Sequence, residues 1–328
     1  MSNVEPKTLL LFDASDTRLS LTLNREQAMS LIVVGTVAYD SVETPTDKRD
    51  RIMGGSASYF SLAANFFTDV SLLAVVGGDM EQKYLDEFTK RGIDCSGLEI
   101  RKDEKSFYWS GKYMVNMNDR ETKETQLNVL ATFNPTLSED AQRIPYLFLA
   151  NGSCDLQLNV LKQWRGSGLC VADTMNLWIS TQRPQLDELL KQVNGLVLND
   201  SEAIQLTGET NLVKAGRKVL EMGPKFVVLK KGEHGVMFFS EKETYALPAW
   251  PLESVVDPTG AGDSFAGAMM GYLASQNNLD SDTIKMALAY ATVVASFTCE
   301  DFSWNRLLDL DLDTINDRLE QFRNIVNF

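Results

Sequence analysis

Short apolar runs and longer amphipathic stretches alternate along most of this chain. The runs "LIVVG" (31–35), "SLLAVVG" (71–77), "YLFLA" (146–150), "LCVAD" (169–173), "GLVLN" (195–199) and "FVVLK" (226–230) are brief and mostly rich in branched residues. Such runs suit strands covered on both faces, as in a parallel sheet. Between and after them the apolar spacing becomes helical, over 56–67, 80–91, 156–164, 184–193, 211–222, 263–275, 281–297 and 311–326. Alternation on this scale predicts an α/β fold with a doubly wound, mainly parallel sheet.

Two segments break the pattern. Residues 37–53, "VAYDSVETPTDKRDRIM", are polar and turn-rich, and residues 105–130, "KSFYWSGKYMVNMNDRETKETQLNVL", alternate apolar with polar positions as antiparallel strands do. Inserted after two different strand–helix units, they are expected to form one small β lid above the sheet's edge, suited to excluding water from a reaction. A surface hairpin or a dimer interface accounts for the same pattern. Residues 1–29 stand apart as an N-terminal extension, either an extra strand pair, a partner-binding arm or an upstream translation start. Residues 30–328 read as one domain.

Composition narrows the class. At 44% hydrophobic and 23% charged residues, the chain reads as an ordinary globular protein. Its apolar runs are far short of a membrane span, and no leader-like start is present, so a cytoplasmic protein without a membrane partner is expected. Four well-separated cysteines with no C-x-x-C pair fit a reducing compartment. A net charge of −14 argues against nucleic acid as a partner, which needs a basic surface.

Several common chemistries are missing. There is no G-x-x-x-x-G-K-[ST] phosphate loop and no G-x-G-x-x-G after the first strand. His234 is the only histidine, so a two-histidine metal site is excluded; its setting, "KKGEHGVMF", reads as a solvated hairpin turn.

What remains is "VDPTGAGDSFAGA" (256–268). Gly260, Ala261 and Gly262 precede a helical pattern. The first N–H groups of a helix lack intrahelical partners and sit at the positive end of its dipole. Small residues there let an anion approach the backbone, which makes a phosphate cradle. Asp263 beside that cradle can take a proton from an attacking hydroxyl. Taken alone, the same stretch reads as an N-cap aspartate after a flexible turn.

The stretch "DPTGAGDSFAGA" resembles the second signature of the ribokinase-like (PfkB-type) carbohydrate kinases, and other landmarks follow in family order. "VVGTVAYD" (33–40) resembles the first strand with its substrate-binding aspartate, "GGSASYFSLAANF" (54–66) the Gly-Gly signature, and "LNDSEAIQLTG" (198–208) the N-x-x-E segment. "VVLKKGEHGVMFF" (227–239) resembles the strand–turn–strand beside the nucleotide, and "ALAYATVVASFTC" (287–299) the penultimate helix.

The resemblance implies a kinase using ATP and Mg2+ on a hydroxyl of a small sugar or sugar-like metabolite, with a nucleoside as the other acceptor. A weakly catalytic regulatory relative is the reading outside enzymes. It implies Asp263 as general base and Gly260, Ala261 and Gly262 as anion hole. Asn199 and Glu202 would order magnesium and its water, and Lys231, Gly232 and Gly235 would lie along the nucleotide. Asp257 and Thr259 resemble residues that hold a monovalent cation, such as K+, in part of the family. Asp40, Gly54, Gly55 and Asn176 would meet the acceptor. In family dimers such a lid often pairs with its copy, so a homodimer through the lid is the oligomer implied.

Overall fold

Successive residues of the first strand, β1 (Leu31–Val34), enter two different apolar cores: Leu31 and Val33 one, Ile32 and Val34 the other. A strand buried on both faces needs apolar residues at every position, which is why it reads as a continuous run. The computed structural model describes residues 30–327, so the extension 1–29 lies outside the described residues.

After β1 come β2 (Ala38–Glu43), β3 (Lys48–Gly54), α1 (Ser56–Asn65), β4 (Val70–Gly77), α2 (Gln82–Lys90), β5 (Asp94–Arg101), β6 (Phe107–Tyr113) and β7 (Arg120–Gln126). The chain continues through α3 (Glu139–Arg143), β8 (Tyr146–Leu149), α4 (Cys154–Gln163), β9 (Cys170–Asp173), α5 (Asn176–Thr181), α6 (Arg183–Leu190) and β10 (Gly195–Asn199). Then follow α7 (Asp200–Thr207), α8 (Leu212–Glu221), β11 (Phe226–Lys230), β12 (Val236–Ser240), β13 (Thr244–Leu247), α9 (Ala261–Gln276), α10 (Ser281–Thr298), α11 (Asn305–Leu308) and α12 (Leu312–Val326).

Among the described residues the main sheet runs β13-β12-β11-β10-β9-β8-β1-β4-β5. Its strands pair in parallel except at β12 and β13, which return antiparallel. One core lies under α1, α2, α9, α10 and α12; the other lies under α4, α6, α7 and α8. The doubly wound, mainly parallel sheet expected from the alternation is therefore present. No helix among the described residues is long and apolar enough to cross a membrane, and the four cysteines are free.

The chain builds outward from β1 to β4 and β5, then returns to β1's other side with β8 and continues to β11. Where strand order reverses this way, the loops at the carboxyl ends of the strands part and leave a crevice. The chain leaves that end of β1 into β2 and that end of β5 into β6. The two inserted segments consequently meet over the crevice as a second sheet, β3-β2-β6-β7. Here β6 and β7 are antiparallel, as the alternating pattern suggests, but β2 and β6 are parallel, Ala38 facing Phe107 and Glu43 facing Lys112.

Candidate active site

Three neighbouring strands end on polar residues at the crevice: β9 on Asp173, β10 on Asn199 and β11 on Lys230. Lys230 Nζ lies 3.5 Å from Asp173 Oδ2, and both side chains are largely buried. Burial raises the Asp173 carboxyl, against the pull of Lys230. Burial alone would lower the Lys230 ammonium, but Asp173, Glu202 and Asp263 together raise it.

Asn199 and Glu202 open α7 with a reciprocal cap. Asn199 Oδ1 accepts from the Glu202 N–H at 2.8 Å, and Glu202 Oε2 accepts from the Asn199 N–H at 2.7 Å. The Asn-x-x-Glu spacing thus has a local structural use, satisfying two helix donors. It also fixes the Glu202 carboxylate beside Asp173 and Lys230. Burial, then Asp173, pushes Glu202 up to about 7.

The start of α9 faces the same space. Gly260 takes φ 80°, a left-handed conformation that only glycine adopts cheaply, and Asp263 follows in the first turn. The Ala261 N–H donates to the Pro258 carbonyl at 3.2 Å within the turn. A β-carbon on Gly262 would fall 2.9 Å from Lys230 Nζ, so the bare backbone there sits directly against the ammonium. Burial and the Asp173 carboxylate push Asp263 up to about 7, while Lys230 and Arg120 hold it down.

Asp40, from β2, lies across Gly54. A β-carbon on Gly54 would fall 2.0 Å from Asp40 Oδ2, and the Gly55 N–H donates to the carboxylate. Burial, with Asp257 and Asp263 nearby, pushes Asp40 up to about 8. Asp257 is fully buried; its oxygens accept from Thr259 N–H at 2.9 Å and Ser303 N–H at 3.4 Å, tying together the loops before α9 and after α10.

Other residues singled out in the sequence have different settings. Asn176 is exposed and donates its amide to Gln205 Oε1 at 2.7 Å, joining α5 to α7. Lys231 contributes its N–H to Gly235 O at 2.7 Å and so closes the turn at 231–235, in which Gly232 and Gly235 have positive φ. His234 is exposed in that turn. It is Lys230, the residue before Lys231 and the last of β11, whose side chain is largely buried against Asp173.

The small sheet is seated on this cleft. Thr259 Oγ1 donates to the Tyr113 hydroxyl at 3.1 Å, and Asn118 Nδ2 donates to Glu233 Oε1 at 3.1 Å. Val42, Tyr113 and Phe302 form a small apolar cluster joined by Trp109, Met117 and Val256. Asp173, Lys230, Arg120 and Tyr113 belong to the site by geometry but carry no motif. Asp173 and Lys230 have one sequence signal, a polar residue closing an apolar run, whereas Arg120 stands in a run of charges that gives none.

The family description "pfkB family carbohydrate kinase" matches residues 30–306. A cytidine kinase from Thermococcus kodakarensis is 28% identical over 256 residues, covering 74% of this chain and 88% of the relative. A similar fold occurs in the nucleoside kinase of Methanocaldococcus jannaschii (TM-score 0.72, 19% identity, 90% of this chain and 99% of that one). It occurs also in a ribokinase II from E. coli in complex with ATP and Mg2+ (TM-score 0.73, 17% identity, 89% and 99%). With most of its length matched, the chain belongs to the pfkB family of carbohydrate kinases, phosphotransferases whose acceptor is an alcohol group.

Proposed function

We propose that this chain transfers the γ-phosphoryl group of ATP to a primary hydroxyl of a small sugar or sugar-like metabolite, with Asp263 as general base. The observation that carries this reading is Asp263 itself, at the first turn of a sixteen-residue helix, behind a glycine-bounded turn and held up to about 7. A base with that affinity takes a proton readily near neutral pH. The acceptor oxygen forms its bond to the γ-phosphorus as the bond to the departing ADP oxygen breaks, and its proton goes to the Asp263 carboxylate. N–H groups at the start of α9 meet the negative charge of the transferring group.

The residues fit ATP and magnesium. The uncovered backbone at Gly262 leaves room that a β-carbon would fill, with Lys230 alongside. Among the described residues no three metal-binding side chains converge, which suits an ion that keeps water and phosphate oxygens as ligands. Magnesium would neutralise phosphate charge, and Glu202 would hold its water. Asp40 fits a hydrogen-bond partner for acceptor hydroxyls, beside Gly54 and Gly55. A monovalent cation beside Asp257 and Thr259 belongs to the same reading and is tested by comparing turnover in potassium and lithium salts.

A nucleoside acceptor is the second reading, favoured by half-buried Trp109 on the small sheet, since an indole face stacks with a base, and by the cytidine kinase relative. The test is an ATP-consumption screen against sugars, sugar phosphates, sugar acids and nucleosides. One acceptor far above background supports the kinase reading. Measurable ATP binding with no turnover on any acceptor refutes it.

A further inference from the structure

We infer that the groove at the amino ends of β9, β10 and β11, beneath α9 and α10, is a second small-molecule site that takes an amphipathic anion, an apolar body ending in one anionic group. The inference stands apart from the kinase reading, because it uses none of the residues assigned to the cleft.

The groove has a volume of about 350 Å3, within the range of small-ligand pockets. Phe226 and Phe238 line it from the sheet, Met269 and Leu273 from α9, and Ile284 and Ala287 from α10. These residues are part of, or pack against, one apolar core, yet Phe226 and Ile284 are only half-buried, and Leu279, between α9 and α10, is 49% exposed. The aromatic side of the groove is braced. The Phe226 ring lies against Gly195, where a β-carbon would fall 2.2 Å from its Cζ. That ring stacks on Phe238 at 5.7 Å, and Phe238 stacks on Tyr245 at 5.5 Å. The apolar wall is therefore preformed, and a ligand's apolar body would leave water by entering.

The mouth carries the charge. Lys225 and Lys242 line it, both exposed, and among the described residues neither ammonium has an ion-pair or hydrogen-bond partner. In a chain of net charge −14, two unpaired cations at the rim of an apolar groove favour a negative group there. Glu243, the one carboxylate in the lining, already accepts from the Tyr245 hydroxyl. An ammonium on a long stem stays hydrated, so it meets the charged end of a ligand whose body lies deeper.

The groove is at the opposite end of the sheet from the cleft. Phe226 and Lys230 are the first and last residues of β11, and four steps of about 3.3 Å put roughly 13 Å between them. Along α9, Met269 and Leu273 stand about 9 and 15 Å beyond Asp263. A ligand here leaves the catalytic cleft open, so it and ATP bind at once.

The test titrates octanoate, and octanamide as its uncharged counterpart, into the full chain by calorimetry, with and without saturating ATP and magnesium. Octanoate is expected to bind saturably, one per chain, with an affinity unchanged by ATP. It should bind roughly five-fold tighter than octanamide, the worth of two exposed charge contacts. Lys225→Ala with Lys242→Ala removes that difference and leaves octanamide binding unchanged, whereas Leu279→Ala weakens both ligands. No saturable octanoate binding overturns the inference. Displacement of octanoate by ATP also overturns it, since the anion would then occupy the catalytic cleft. So does equal octanoate affinity in the wild type and the double lysine variant. If the double variant instead shifts a monomer–dimer equilibrium in sedimentation and octanoate does not bind, the groove is a contact between copies of the chain and the inference falls. All three substituted residues are exposed, and unchanged melting temperatures without ligand separate each outcome from misfolding.

Discussion

Gly260 lies flat against the ring of Tyr59: a β-carbon there would fall 2.4 Å from Tyr59 Cγ and 2.5 Å from both Cδ atoms. The turn that starts α9 is thus pressed onto α1, and the Tyr59 hydroxyl is buried without a hydrogen-bond partner among the described residues. Gly260→Ala meets two penalties, about 1–2 kcal/mol for left-handed backbone and about 1–3 kcal/mol for overpacking. A lower melting temperature and a large loss of kcat are expected. Tyr59→Leu in the same chain should recover the packing part alone; a double-mutant cycle showing no coupling would refute the contact.

Asp263→Asn should lower kcat by roughly 10²–10⁴-fold, the range of general-base catalysis, while ATP still binds. The pH profile carries the sign. Only the ionised carboxylate accepts a proton, and Asp263 is held up to about 7, so kcat/KM should rise with pH through about 7 and then level. A rise that survives in the Asn variant belongs to another group.

Lys230→Met removes the cation beside the buried Asp173 and strands that carboxylate. Breaking a buried pair from one side costs about 3–5 kcal/mol where burial is complete, and less here because Lys230 keeps some solvent contact. Lys230→Met with Asp173→Asn should be more stable than Lys230→Met alone. Equal denaturation midpoints for the two would show that the pair is not coupled.

Asp40 gives a stability prediction of unusual sign. Its carboxyl is pushed up to about 8, so between its unfolded value and that point the folded chain binds the extra proton. This group's contribution to stability therefore falls as pH rises through that window. Asp40→Asn removes the buried charge. Relative to wild type, its melting temperature should be similar near pH 4, already higher near pH 6 and higher still near pH 9, where the difference levels off. An unchanged difference would mean that Asp40 ionises without penalty.

The strands of the main sheet are legible in the sequence where both faces are covered, as in β1, β8, β10 and β11. The edge strand β5 is not, because Asp94, Ser96 and Glu99 answer to solvent rather than to a core. The helix start at Gly260–Asp263 stands out because small residues before an acid serve few local purposes. Asp173 and Lys230 stay hidden: each closes an apolar strand, and only the intervening β10 brings them together. Lys231 is the more conspicuous lysine beside the glycines, yet it is Lys230 that lies largely buried against Asp173. Arg120 stands in a run of charges, "RETKETQ", that reads as any exposed strand does.

That run also governs how the small sheet meets its surroundings. Among the described residues nothing pairs with the outer edges of β3 and β7, and both strands are studded with charges of either sign, Lys48 to Arg51 on one and Arg120 to Glu124 on the other. Neighbouring charges pair along each strand, Lys48 with Asp50 and Lys123 with Glu121. A foreign strand laid along either edge would have to strip these hydrated ions before gaining a single ladder bond. The charges on β3 and β7 therefore guard these edges against seeding fibres.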